Sequence, residues 1–457
     1  MAELIISISG MRGIVGGNLT PAIAAEYGCA FGTFLKRNNS PASRLSVCVG
    51  RDSRPSGTMI AGAVAAGLCA VGIDVVDLGI VTTPCVGVML RHLQCAGGIV
   101  ITASHNPTPY NGIKLLLDNG IAPPKPMAEK IRQMYFDKQF DFVDAVKCGK
   151  ITYNDQTDDV HIDKVLNIVD KDAIAAKNFK VVLDSVNGAG GRIGVKLLKM
   201  LGCDVIEMNT ETNGLFAHTP EPTKENLVTL CDKVKETGAQ IGFAQDPDAD
   251  RVAIVDENAR YIGEEYSLGL SAKCIYGKDE FKGGKSAANL STSRMIDDVA
   301  AAAGGSVIRT AVGEANVADA MISNDCVIGG EGNGGIIDLR VGPIRDSLVG
   351  MALTLQLLAD EGKSVGTIVD EMGEYCMEKT KFAADKELAA KIIDAAKDKF
   401  TDARIDETDG CRFDFADGWL HLRTSNTEPV MRAIAEAADY ETTAKYIKIV
   451  DEIKASL

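Results

Sequence analysis

The chain has no paired cysteines, no long apolar run and a shortage of positive charge. Its cysteines stand singly at 29, 48, 69, 85, 95, 148, 203, 231, 274, 326, 376 and 411, with no C-x-x-C pair, which argues against a thiolate metal centre or a disulfide framework. Most lie inside apolar runs, where a free cysteine behaves as a small hydrophobe. The least polar stretch, MIAGAVAAGLCAVGI at 59–73, is too short to span a bilayer and reads as a buried helix. The opening residues, MAELIISISGMRG, show neither a basic n-region nor a small-residue cleavage pattern, so a cytoplasmic protein without membrane association is expected. Lys and Arg total 48 against 63 Asp and Glu, a formal charge of −15, so no nucleic-acid partner is expected. An anionic small substrate would need a local cluster of Arg and Lys against that field.

The composition, 46% hydrophobic and 24% charged, is that of a soluble globular chain. At 457 residues it exceeds one hydrophobic core. At about 100 to 200 residues per domain, three or four domains with clefts between them are expected. One supersecondary unit recurs: an Ala- or Leu-rich helix, a glycine at its end, then a β-branched strand. It appears at 60–79, 193–209 and 293–313, each time after a further strand (SVCVGRD, KVVLDSVNG, GKSAANLST). This predicts an α/β protein with three tandem similar α/β domains and mixed sheets, as duplication of one module would give. The last 85 or so residues alternate helix and strand as an α+β domain. Polar, aperiodic stretches at 137–162, 256–265 and 362–373 mark junctions, giving domains at 1–150, 151–257, 258–368 and 369–457.

Four polar stretches carry the chemistry. ITASHNPTPYNGIK (101–114) ends an apolar strand in Ser104, His105, Asn106 and Lys114, read either as a turn or as a nucleophile loop. AQDPDADRVAIVD (244–256) alternates Asp246, Asp248 and Asp250 on one short loop; their mutual repulsion calls for a hard divalent cation, Mg²⁺ above all, unless the loop is a solvated acidic turn. IGGEGNGGIID (328–338) frees its backbone for a ligand and sets Glu331 and Asn333 two apart, a spacing suited to vicinal sugar hydroxyls. RTSNTEPVMR (423–432) brackets Ser425, Asn426 and Thr427 between Arg423 and Arg432, as a phosphate grip would. An N-capped helix start explains the hydroxyls there but not both arginines. Further cations stand at Arg12, Arg51, Arg54, Lys114 and Arg251.

Together these stretches resemble the signature loops of the α-D-phosphohexomutases, the superfamily of phosphoglucomutase, phosphomannomutase and phosphoglucosamine mutase. TASHNP is similar to the family's phosphoserine loop, DPDADR to its metal loop, GEGNGG to its sugar loop and RTSNTEP to its phosphate loop, in the family's order. The resemblance implies an active site in the central cleft, a phosphorylated Ser104 and one Mg²⁺ held by Asp246, Asp248, Asp250 and a phosphoserine oxygen. It implies a sugar 1,6-bisphosphate as activator and intermediate in the exchange of sugar 6-phosphate and 1-phosphate. Lys114 and Arg12 match family residues near the transferring group, with Lys114 a candidate general acid/base, a task for which a buried lysine would need a lowered pKa. His105 would shape the serine loop, Arg251 would steady the phosphoserine or metal loop, and Arg423, Ser425, Asn426, Thr427 and Arg432 would hold the non-reacting phosphate.

The sugar loop departs from the family's usual forms, with Asn333 where Ser is common and Gly335 where His is common. Glu314, in TAVGEANV, stands where phosphomannomutases often carry His, and its carboxylate could pair with a protonated 2-amino group. The combination resembles the archaeal-type phosphoglucosamine mutases and points to glucosamine 6-phosphate. A phosphoglucomutase/phosphomannomutase of broad specificity is the alternative; a serine-dependent metallophosphatase and a non-catalytic sugar-phosphate-binding protein are remoter ones. A monomer or homodimer is expected.

Overall fold

A computed structural model of the chain describes residues 4–7, 10–39, 44–424 and 430–457. Three of its four sheets repeat one topology. In the first, Ser46–Arg51 lies between parallel neighbours Asp74–Ile80 and Gly97–Ile101, and Gly97–Ile101 pairs antiparallel with Tyr110–Leu117. The second sheet repeats this with Lys180–Asp184 between Asp204–Met208 and Ile241–Gln245, the last pairing antiparallel with Val252–Val255. The third places Lys285–Asn289 between Ser306–Thr310 and Ile328–Glu331, with Gly335–Ile337 antiparallel to the latter. The recurrence of the helix–glycine–strand unit thus marks three copies of a mixed sheet. The first sheet is extended at one edge by Ile5–Ser7 and Gly10–Ile14 and at the other by Ile151–Tyr153.

The same local chemistry ends the helix in each copy. Gly72, Gly202 and Gly304 adopt φ of +82°, +79° and +74°. Each N–H bonds the carbonyl three residues back (Cys69, Lys199, Ala301), and the next N–H reaches five back (Leu68, Leu198, Ala300). This is the Schellman closure, which satisfies otherwise orphaned helix carbonyls and turns the chain into the parallel strand.

The topology also fixes where chemistry can be placed. In every copy, the turn from the second parallel neighbour to its antiparallel partner holds one of the polar stretches: Ser104 follows Gly97–Ile101, Asp246 to Asp250 follow Ile241–Gln245, and Gly332 to Gly334 follow Ile328–Glu331. Three loops of equivalent origin converge at carboxyl ends of parallel strands, where open α/β sheets bind ligands.

The fourth unit is an antiparallel sheet ordered Cys376–Ala383, Val430–Ala437, Gly418–Thr424, Cys411–Asp414 and Arg404–Asp406, with helices Lys386–Lys399 and Tyr440–Ser456. Its apolar core, around Phe413, Leu420 and Ile392, is its own. The first three units instead share one apolar cluster. Through that cluster runs helix Ser347–Glu361, buried on all sides up to Ala359, which explains its nearly uninterrupted apolar sequence. No described helix is long and apolar enough to cross a membrane.

Candidate active site

Ser104 sits at the end of a strand buried on both faces, 4% exposed, with φ +50°. A non-glycine residue in the left-handed region persists only where its surroundings fix it. Here the fixing groups are visible. Thr102 Oγ1 accepts from the Ser104 N–H at 2.9 Å, and Arg54 donates to the carbonyls of Ser104 and Asn106 at 2.7 Å and of Pro107 and Tyr110 at 3.1 Å. Asp52 anchors Arg54 at 3.0 Å and accepts from Thr102 at 2.7 Å. Arg54, a phosphate-binding candidate in the sequence, is therefore the clamp of the serine loop: its terminal N–H groups are spent on backbone carbonyls and its Nε–H on Asp52. Arg51 faces Asp77 at 3.9 Å on the sheet instead of joining the cluster. Arg12 reaches the loop from strand Gly10–Ile14 and donates to Asn106 Oδ1 at 2.8 Å.

The Ser104 hydroxyl donates to Asp246 Oδ2 at 3.0 Å, which joins the first and second polar stretches across 142 positions of chain. Asp246, Asp248 and Asp250 are each 0% exposed, and one oxygen of each lies within 4.8 Å of the others. Burial, then repulsion from Asp250 and Asp248, lifts the Asp246 carboxyl well above the ordinary range. Burial would lift Asp248 too, but the Lys114 ammonium at 2.7 Å and the Thr83 hydroxyl at 2.6 Å hold it below. Asp248 Oδ1 and Asp250 Oδ1 have no hydrogen-bond partner. Buried carboxylate oxygens left unpaired are costly, so this donor set fits a hard oxygen-seeking cation such as Mg²⁺.

Lys114 is half-buried beside Asp248 and lies 3.6 Å from Asp250. Burial favours its neutral form, but the two carboxylates outweigh burial and the ammonium is held above its usual pKa. The lowered pKa that a base at this position would require is absent. His105, whose Nδ1 is 3.4 Å from Ser104 Oγ, is pushed down to about 3 by burial and by Arg251 and Arg12, so it is neutral. Arg251 donates from its backbone to Asp246 at 3.2 Å, and its Nε has no hydrogen-bond partner.

The central residue missed in the sequence is Arg345. It is 8% exposed, and its two terminal nitrogens reach Asp250 Oδ2 at 2.5 Å and Glu331 Oε2 at 2.7 Å. Its backbone N–H donates to Glu314 at 2.6 Å. One guanidinium thus ties metal loop to sugar loop, and burial, which would discharge it, is overcome by the facing carboxylates. Gly335 explains the room: a Cβ there would lie 2.2 Å from Arg345 Cδ. The small residue and the buried arginine are one adaptation, legible only in three dimensions.

Glu331 and Asn333 do converge, with Asn333 Nδ2 3.5 Å from Glu331 Oε2. Glu331 is more engaged than its sequence suggested, because Asn289 and the Gly313 N–H occupy its other oxygen at 2.8 and 3.2 Å. Glu314, with a side chain 26% exposed, keeps a carboxylate oxygen 3.6 Å from Arg345 Nε. Arg423 and Arg432 lie directly opposite each other on neighbouring antiparallel strands. Like charges so placed are unfavourable without an anion between them. Burial and Arg432 lower the Arg423 guanidinium, and Asp409 stands 3.4 Å from its Nε. Ser425, Asn426 and Thr427 lie outside the described residues.

Similarity to known proteins covers the whole arrangement. Models of the phosphoglucomutase/phosphomannomutase alpha/beta/alpha domains I, II and III match residues 4–142, 159–261 and 264–375, and that of the C-terminal domain matches 375–453. A phosphoglucomutase/phosphomannomutase of Thermococcus kodakarensis is 39% identical over 446 residues, 96% of each chain. A protein of Methanopyrus kandleri named "Probable phosphoglucosamine mutase" is 35% identical, spanning 95% of this chain and 94% of that one. The crystal structure of a phosphoglucomutase/phosphomannomutase family protein from Burkholderia thailandensis superposes with a TM-score of 0.86 at 27% identity, covering 98% of this chain and 97% of that one. The fold and sequence are those of a phosphohexomutase, an isomerase acting by intramolecular phosphoryl transfer. The chain belongs to the phosphoglucomutase/phosphomannomutase family, as its four polar stretches implied.

Proposed function

We propose that Ser104 carries the phosphoryl group and that glucosamine 6-phosphate is the preferred substrate, converted to glucosamine 1-phosphate. The observation that carries the first part is the Ser104 hydroxyl held 3.0 Å from Asp246 in a cluster of three buried carboxylates. Asp246, Asp248 and Asp250 would hold Mg²⁺, which supplies charge neutralisation at a transferring phosphoryl group. The chain's own residues do the rest. The Ser104 O–P bond breaks as a sugar hydroxyl oxygen bonds to phosphorus; charged Lys114 gives its proton to Ser104 Oγ, and the proton of the attacking hydroxyl passes to the amine so formed, so that Ser104 ends as a hydroxyl and Lys114 ends charged. Arg12 and Arg251 face the phosphoryl oxygens, and Arg423 with Arg432 hold the remote phosphate, so binding energy away from the reacting bond orients the sugar. Return of the second phosphoryl group from a sugar 1,6-bisphosphate restores phosphoserine; positioning and electrostatics suffice for such a transfer.

The sugar assignment rests on Glu314. Arg345 spends its terminal nitrogens on Asp250 and Glu331, so Glu314 keeps an oxygen without hydrogen-bond geometry to that guanidinium. Such a carboxylate suits a 2-ammonium group. A second reading, exchange of glucose and mannose phosphates, is favoured by the relative named phosphoglucomutase/phosphomannomutase. Turnover of glucosamine 6-phosphate, glucose 1-phosphate and mannose 1-phosphate, each primed with its bisphosphate, separates the two: glucosamine 6-phosphate left inert while the hexose phosphates turn over sinks the first. Ser104→Ala should abolish turnover and remove a one-phosphate increment from the intact mass, with the fold unchanged. Persistent turnover, or steady release of free phosphate without a bisphosphate requirement, would overturn the carrier role.

A further inference from the structure

Beneath the site, three buried side chains from three units meet. His161, on helix Thr157–Leu166 ahead of the second sheet, is 0% exposed. Its Nε2 lies 2.6 Å from Asp346 Oδ2, after the third sheet, and its Nδ1 lies 3.2 Å from Cys85 Sγ, on helix Thr83–His92 of the first unit. A Cys–His–Asp arrangement suggests thiol chemistry, but Cys85 at 0% and Asp346 at 2% exposure leave no route for a substrate. Its neighbours in sequence suggest another role.

Asp346 adjoins Arg345, the residue that ties Asp250 to Glu331. Asp346 is held at three further points: its N–H donates to Ile336 O at 2.8 Å, its Oδ1 accepts from Leu348 N at 2.9 Å, and Ser347 after it donates to Ala249 O at 3.3 Å on the metal loop. The Cys85 side reaches the same loop, because Thr83, two residues before it, donates its hydroxyl to Asp248 Oδ2 at 2.6 Å and its N–H to Asp248 O at 2.9 Å. His161 therefore stands between two segments that each touch the carboxylate cluster.

From this geometry we infer that His161 is a positioning residue, which through Asp346 sets the fork of Arg345 between the metal-loop and sugar-loop carboxylates. This inference rests on the proposed mutase site for its kinetic consequence. Burial would discharge the imidazole, but the Asp346 carboxylate outweighs burial and keeps it charged, so both ring nitrogens donate. One donor steadies Asp346; the other meets the Cys85 thiol.

The test compares His161→Leu, which removes both donors, with His161→Gln, whose amide can still donate to Asp346. Acting through Arg345, the leucine variant should lose about tenfold or more in kcat, and glutamine should recover to within about threefold of wild type. Combined with Arg345→Lys, it should add little to the loss of that variant alone, because coupled residues are not additive. Calorimetric titration with Mg²⁺ requires no turnover, so it reads the inference even if the mutase assignment fails. There the leucine variant should bind about fivefold or more weakly, with glutamine close to wild type. If leucine does not fold, Asp346→Asn, which keeps the size and the cap to Leu348, should show the same two losses. Leucine and glutamine variants equally impaired, independent losses with Arg345→Lys, or Mg²⁺ affinity unchanged in the leucine or asparagine variant would each overturn the role.

Discussion

At the scale of single residues, the chemistry of this site is a matter of unequal charge. Asp248 and Asp250 face the half-buried Lys114, and Asp250, Glu314 and Glu331 face the buried Arg345. Arg345 suits its place because a rigid planar fork spans carboxylates on two separate loops in fixed directions, whereas an ammonium is a compact point charge that fixes no such geometry. Arg345→Lys should therefore lower kcat/KM by about 100-fold while the protein still folds, a loss read directly from steady-state kinetics. Gly335→Ala tests the same geometry without touching a charge: the added methyl must displace Arg345 and should reproduce much of that loss. Wild-type kinetics in Gly335→Ala would show that the arginine's present path is dispensable.

At the scale of elements, one helix-to-strand joint is used three times, and its tolerance should differ by surroundings. A Cβ at Gly304 would meet nothing within 4 Å, whereas a Cβ at Gly202 would lie 2.7 Å from Ala175 Cβ. In Gly304→Ala only the left-handed backbone opposes the side chain, a cost of about 1 kcal/mol. Gly202→Ala adds a steric clash and should cost about 2 kcal/mol or more. Denaturant midpoints of the two variants give the comparison; equal losses would mean that the joint around Ala175 yields freely. The polar loops that follow the strands obey no such local rule. Ser104 and Ala249, with φ of +50° and +52°, are held by distant partners, so sequence alone reveals these turns only by their residue types.

At the scale of the whole molecule, the fourth unit meets the third through polar contacts more than a shared core. His421 accepts from Ser291 at 2.9 Å and donates to Asp409 O at 2.6 Å, and Asp409 in turn accepts from Val312 N at 3.0 Å beside the sugar loop. Burial lowers the His421 imidazole to about 4, despite its bond to Asp409. Unfolding lets it bind a proton at its ordinary value near 6.5, so the unfolded state carries more protons between those two values. Stability contributed by neutral His421 is thus complete above about pH 6.5 and is lost as pH falls toward about 4, by on the order of 3 kcal/mol at most. Melting temperatures across that window should fall with acidification and flatten in His421→Gln; an unchanged slope would assign the effect elsewhere. The sequence by itself determined the repeating α/β units, through periodicity and glycine stops that are local properties. It also determined the family and singled out Ser104 and the three aspartates, because each lies in a contiguous loop whose residue types announce their chemistry. The partners of Arg54, Arg345, His161 and His421 were decided only by tertiary structure. Each reaches a group far along the chain: Arg54 meets Asn106 across 52 positions, Arg345 meets Asp250 across 95, His421 meets Ser291 across 130 and His161 meets Asp346 across 185. Nothing in the neighbouring residues of such a side chain encodes its partners; folding the sheets together does.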